Sequence, residues 1–367
     1  MITQSTLTFL KRICALCLIG LIAGCSGSPP RPSDRDGTIQ VGTSPTNRNS
    51  RSTQQVVREY GGIAKQEELY EEATKLLEAS TLSNDPQTRA HSYEAMVQQP
   101  RLLARVVDRG LVDENFGVRS IAAMAIGKAR VQGHEDLLKV LLTDESPFVS
   151  SAAVFALSQT GQPVDRSMLA TFLFNEEDPG LRAHVAFLLG EMGDESALPL
   201  INDAVRMPMP KVMSARQRIL ELQLSEAMVK LGDDSQLAPI RAALFPALPS
   251  DLEATALAIQ ALGELKDRSS RGTLALLSES AGPNGELLPP EILLAIAISM
   301  AKLGDHNGWF LADMFWTSDR DVVRADSASV FGWTKRVEDL EKLERMLSDP
   351  SEMVRVAAAA ALVRRLK

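Results

Sequence analysis

Cysteine is almost absent from this chain: three of 367 residues, Cys14, Cys17 and Cys25, all close to the N-terminus. Beyond residue 25 no thiol remains, which excludes disulfides, thiolate catalysis and cysteine-ligated zinc from the rest of the protein. Histidine is nearly as scarce. His91, His134, His184 and His306 stand singly, without an His-Glu-x-x-His spacing, so no metal site is expected. His91 and His184 each follow Arg-Ala, which suits a repeated surface position. Met207, Met209 and Met213 are soft donors, but helix and loop packing use methionine in the same way. Aromatics make up 5% of the chain, and neither a Gly-rich phosphate loop nor a nucleophile elbow occurs. Catalytic residues and cofactors are therefore not expected. The apolar run Ile13 to Gly24 has 12 residues. As a helix it reaches ~18 Å against a hydrocarbon core of ~30 Å, too short to span it.

That run has a different use. Lys11 and Arg12 precede it, and it ends in Ile22-Ala23-Gly24-Cys25, the anatomy of a targeting segment over 1–25. The ending resembles the lipobox of bacterial lipoproteins. The resemblance implies cleavage before Cys25, lipids on its thiol and new amino group, and stable anchoring by several acyl chains. Ser26, in that resemblance, implies sorting to the outer membrane of the cell envelope. Residues 26–55 are rich in Pro, Ser, Thr, Arg and Asn and read as a flexible tether. Residues 56–367 are apolar and periodic. Loss of Lys11 and Arg12 leaves 37 basic against 47 acidic residues, a balance that argues against a nucleic-acid partner.

The periodic region repeats one helical pattern nine times. Val118-Arg119 through Ile126-Gly127 and Val354-Arg355 through Leu362-Val363 are its clearest copies. In a common register the copies fall at Val97, Gly127, Ser158, Gly190, Val229, Gly263, Ala301, Gly332 and Val363, at steps of 30 to 39 residues. Such a period belongs to stacked helix pairs. Apolar residues recur at three and four spacings within each copy. A second helical run precedes each one, for example Glu135 to Leu142, Ala197 to Val205 and Leu340 to Leu347. Turn signals such as Asp178-Pro179-Gly180 and Asp349-Pro350 separate the two, with Asp at the cap and Pro in the first turn. The expected fold is all-α, a solenoid of about nine helix pairs.

Asp-Pro, then Val-Arg, then an Ala-rich helix ending near Leu-Gly resembles HEAT repeats, in the short bacterial form also found in phycobilisome lyases. The resemblance covers about 85–367, with a less regular helix around Glu67 to Glu78. It implies second helices on the concave face and an arginine ladder pairing with acidic turn residues. Arg89, Arg119, Arg182, Arg324 and Arg355 match the ladder position. Ser150, Glu221, Thr255 and Leu293 occupy it without matching.

Three consecutive repeats carry enlarged turns between their helices, and equivalent turns of a solenoid lie along one edge. Met207, Met209, Lys211, Phe245, Leu248, Asn284, Glu286 and Leu287 mark this edge as a candidate partner-binding surface. Trp309, Trp316 and Trp333 fall within 25 residues and form a candidate aromatic patch. The last helix has no following cap, and its apolar Ala357 to Val363 end suggests a homodimer through the C-terminal repeat. The expected role is that of a lipid-anchored envelope scaffold or adaptor for a protein partner. An enzyme acting on a cofactor, similar to the lyases, and a purely structural lipoprotein are the alternatives.

Overall fold

The computed structural model describes residues 52–175, 178–207, 214–245, 251–279 and 287–366. Helix α1 (Thr53–Tyr60) leads into pairs α2 (Ile63–Ser80) and α3 (Pro86–Ala95), α4 (Pro100–Leu111) and α5 (Phe116–Ala129), α6 (Glu135–Leu141) and α7 (Pro147–Gln159). Next come α8 (Ser167–Leu173) and α9 (Pro179–Met192), α10 (Leu198–Val205) and α11 (Ser214–Lys230), α12 (Leu237–Ala242) and α13 (Leu252–Glu264). The last three pairs are α14 (Arg271–Glu279) and α15 (Pro290–Lys302), α16 (Trp309–Phe315) and α17 (Asp321–Phe331), α18 (Glu338–Met346) and α19 (Glu352–Arg365). The fold is an all-α solenoid of HEAT-like pairs. Among the described residues its first helix starts at Thr53, capped by the Ser52 hydroxyl, three residues ahead of the boundary expected at 56.

Local chemistry sets the helix starts. Asp85, Asn115 and Asp178 each accept two backbone N–H groups of the following turn, and Pro86 and Pro179 occupy first-turn positions that need no donor. Several first helices open differently. Asp194, Asp233 and Asp267 accept from Ser196, Ser235 and Ser269, each after a residue of positive φ: Gly193, Gly232 and, at 55°, Lys266.

The odd-numbered helices from α3 to α19 form the inner wall, and they are spaced unevenly. A Cβ at Gly190, Gly263 or Gly332 would lie 2.9 Å from the Cα of Ala227, Ser299 or Ala361, and one at Gly127 would lie 3.1 Å from that of Ala156. Backbones therefore touch at α5–α7, α9–α11, α13–α15 and α17–α19, an approach only glycine permits. The intervening junctions put Val97, Ser158, Val229 and Ala301 in the same register, so the wall is built of two-repeat units after an odd first pair.

The array closes on itself. Helix α19 packs on α2 and α3, and α18 packs on α1. Tyr60, Lys65 and Ser83 reach across this seam, with Lys65 Nζ 2.6 Å from Glu344 and the Tyr60 hydroxyl bonded to the same carboxylate. One apolar cluster runs from Val56 through the seam to Val363. Ala357 to Val363 are buried throughout, none more than 6% exposed. The open apolar end on which a homodimer was expected is thus covered by the chain's own first helices.

Closure predicts a specific cross-link. In a chain from residue 52 onward, Lys65→Cys combined with Glu344→Cys should give an internally bridged monomer with a short bismaleimide. Two singly labelled thiols and no bridge, read by mass spectrometry, would show the ends apart.

Candidate functional site

The ladder arginines do not all do the same thing. Arg119 holds Asp144 with Nε and Nη2 at 2.8 and 2.9 Å, while Nη1 donates to the Asp113 carbonyl at 2.8 Å. Arg89 repeats this with Asp113 at 2.7 Å for both bonds and the Ser83 carbonyl at 2.9 Å. Arg324 does so with Asp349, at 2.8 and 2.9 Å, and the Ser318 carbonyl. Each fork stitches its own turn to the next repeat's turn, and Asp113 serves two rungs at once. Arg182 is 1% exposed and caps helix ends instead, donating to the Leu173 and Ala204 carbonyls. Arg355 ends the row: it binds the Asp349 carbonyl and pairs with Glu352 of its own helix at 3.4 Å. In the middle repeats, Arg218 pairs with Asp251, and Arg241 forks onto Asp267 at 2.8 Å in both bonds. That fork and the Ser269 and Ser270 hydroxyls hold the Asp267 carboxyl far below its usual range.

Buried bidentate pairs leave a stranded charge when halved. Arg119→Ala should therefore cost ~3 kcal/mol in denaturant unfolding. Arg355→Ala, whose pair is local and half-exposed, should cost ~1 kcal/mol or less.

The candidate edge lies largely outside the described residues: Met209, Lys211, Leu248, Asn284 and Glu286 fall there, as does Cys25 of the leader. Of its remaining members, Met207 is half-buried, Phe245 is 63% exposed and Leu287 is 46% exposed. Val205 and Leu276 stand exposed in the same stretch. The tryptophans are dispersed rather than gathered in a patch. Trp309 lies under Arg336, 4.0 Å from its ring centre, and meets Phe310 edge-on. Trp316 packs on the apolar core. Trp333 faces the lumen. His184, expected at the surface, is wholly buried against Phe148, and burial pulls its pKa down to about 4.

The lumen holds what the sequence reading missed. One residue past each register position stand Gln98, Lys128, Gln159, Glu191, Lys230, Glu264, Lys302, Trp333 and Arg364. At the ends of the inner helices these residues form a belt. Glu191 binds Lys128 at 3.1 Å and Lys230 at 2.7 Å, and Glu264 pairs with Lys302. Lys128 and Lys230 both sit ~5 Å from the Phe187 ring, at 5.0 and 4.9 Å. Trp333 takes Arg364 at 4.9 Å and Lys302 at 6.0 Å. Burial alone would raise the Glu264 carboxyl, but Lys302, with the fields of Lys128 and Lys230, brings it below its ordinary value. Reading one position beyond the register, where acid and base alternate, would have found the belt.

Beneath it lies a cavity of about 410 Å³ lined by α3, α5, α13, α15, α17 and α19. Asp326 on α17 is 2% exposed, lines this cavity, and neither of its carboxylate oxygens has a hydrogen-bond partner. Gln260 on α13, 6% exposed, likewise leaves Oε1 unpaired. Burial, reinforced by Glu291 and only partly opposed by Arg320, pushes the Asp326 carboxyl well above its usual range. Arg364 carries an unpaired Nε, and burial lowers its guanidinium against the distant fields of Glu264 and Glu94. Among the described residues no group of three metal-ligating side chains occurs.

The raised Asp326 carboxyl has a definite stability sign. Above the ordinary carboxylate value of ~3.9 the folded state holds this proton more tightly than the unfolded chain, so stability falls as pH rises. Asp326→Asn should therefore stabilise the protein by ~1–3 kcal/mol at pH 7, with the gain fading toward pH 4 in thermal melts.

With this geometry in hand, two family models place the fold in its class: HEAT repeats over residues 100–173 and the HEAT repeat over residues 340–364. No curated protein matches the chain in sequence. Among solved structures it is similar to human deoxyhypusine hydroxylase in complex with glycerol, with 16% identity, 74% of this chain and 96% of that one covered, and a TM-score of 0.35. The CpcE–CpcF complex of phycocyanin lyase from Nostoc sp. is also similar, with 16% identity, coverage of 71% and 94%, and a TM-score of 0.31. An engineered protein shows 16% identity over 85% of this chain and 98% of its own, with a TM-score of 0.30.

Proposed function

We propose that the protein is a lipid-anchored scaffold or adaptor of the cell envelope, held at the outer membrane through Cys25, that binds a protein partner on its outer surface. One observation carries this reading: the array of described helices is closed, so its inner helices face a charged lumen and not an outside groove. Protein contact then belongs to the outside. There Val205, Phe245, Leu276 and Leu287 are exposed in consecutive repeats beside the enlarged turns. Apolar side chains presented together at a surface mark contact sites. The acidic balance of the chain supports a protein rather than a nucleic acid. The body needs no catalytic residues for this role. Handling of a small molecule is a second reading, favoured by the unpartnered Asp326 at the cavity.

In-cell cross-linking followed by mass spectrometry tests the scaffold. One stoichiometric protein partner is expected. Phe245→Asp with Leu287→Asp should lower its capture about tenfold or more, as loss of apolar contact anchors does, while the melting temperature stays unchanged. Absence of any stoichiometric partner, or capture indifferent to the double variant, would overturn the reading.

A further inference from the structure

The lumenal cavity presents two unmet requirements at its two levels. At the lower level Asp326, and about one helical turn above it Gln260, offer three oxygen acceptors that no protein donor reaches. Buried acceptors without donors are uncommon in folded proteins and call for a partner. At the upper level, Arg364 is a cation laid on the Trp333 ring, with Nε unpaired and no carboxylate of the described residues in ion-pairing reach. Of the other charged side chains around the lumen, Glu264 is matched by Lys302, Lys128 and Lys230 by Glu191, Glu291 by Arg320 and Glu94 by His91, while Lys266 stands exposed at the rim.

The two levels are a fixed distance apart. Trp333 and Arg364 share one register, and Asp326 stands seven residues before Trp333, which is ~10 Å at helical rise. Between them, Ile298 on α15 lines the cavity at the height of Gln260 and Ser329, while Ala295 is level with Asp326 and Ala301 with Gly332. A ligand that fits must therefore donate hydrogen bonds at one end and part of the way along, and carry an anion at the other end. A volume of about 410 Å³ lies within the ~300–1,000 Å³ of small-molecule sites.

We infer that the cavity binds a small zwitterion, with its ammonium group at Asp326, its carboxylate at Arg364 and its middle passing the Gln260 acceptor. The shared chemistry is an ammonium and a carboxylate separated by ~10 Å, the reach of about three extended residues. A short peptide with free termini and an ω-amino acid both provide it. The site is independent of the outer contact surface, so loss of one leaves the other standing.

Calorimetric titration of the detergent-solubilised full chain tests this with trialanine, N-acetyl-trialanine, trialanine amide and 8-aminooctanoate. Binding of trialanine identifies a peptide as the source, and binding of 8-aminooctanoate alone identifies an ω-amino acid. Blocking either terminus of trialanine, or offering octanoate or octylamine in place of 8-aminooctanoate, should weaken binding about tenfold or more, as loss of a charge-assisted hydrogen bond does. Asp326→Asn should abolish the preference for a free amino group and keep the preference for the carboxylate. Arg364→Gln should do the reverse, and Arg364→Lys should restore part of it. The circular dichroism melt of each variant checks that it is folded. Binding of neither zwitterion, equal binding of blocked and free forms, or variants that leave both preferences intact would overturn the assignment.

Discussion

Contact between helix backbones at alternate junctions is the constraint on which the rest of this molecule depends. Gly127, Gly190, Gly263 and Gly332 let inner helices touch a neighbouring Ala or Ser directly. Outer helices have no equivalent set of glycines, so each two-repeat unit is narrower inside than outside. Small rotations of this kind, added repeat by repeat, set the curvature of a solenoid. Here they suffice to bring α19 round to α2 and α3. Closure then removes the exposed last repeat that an open array has to shield by other means.

The same contacts explain the charges inside. Directly after each of these glycines comes Lys128, Glu191, Glu264 or Trp333, and on the helix touched by the last three comes Lys230, Lys302 or Arg364. Helices that approach this closely carry their end residues together, so an unmatched pair would be penalised by desolvation. Acid meets base in two of these units. In the third an aromatic face meets a guanidinium, a weaker match that leaves Arg364 with charge to spare. Asp326 sits about two turns further in, on α17, the helix that Trp333 follows. The unit with the incomplete electrostatic match is thus also the one with the unpartnered acid.

Much of this was legible in the residues. Helix pairs followed from period, caps and Pro positions, because those signals are local and chemically specific. The forks of Arg89, Arg119 and Arg324 recur at one register with an Asp about 25 residues on, which a repeat alignment exposes. Arg182 shares the register but finds carbonyls, since the turn it faces differs. Closure was not legible. It depends on Tyr60 and Lys65 meeting Glu344 nearly 280 residues away, and no local pattern encodes such a meeting. Nor were Asp326 and His184 distinguishable as buried, because a polar residue inside a short Ala-rich helix looks like part of its exposed face. The dispersal of Trp309, Trp316 and Trp333 has the same root. Proximity in sequence spans two helices and a turn, which point in different directions.

The odd first pair gives the ring a mechanical asymmetry. Four two-repeat units account for eight of the nine inner helices, and α3 is left between two of them as a keystone with no inner-wall glycine contact to a neighbouring inner helix. On one side it is held partly by polar bridges to Glu344 and Glu352 from the preceding helix and turn. The N-terminal residues 1–51 join the body at α1, which packs against α18 at this same seam. Any tension transmitted along that segment is delivered first to the joint that closes the ring. The molecule is arranged like a buckled strap whose free end leads straight to its clasp.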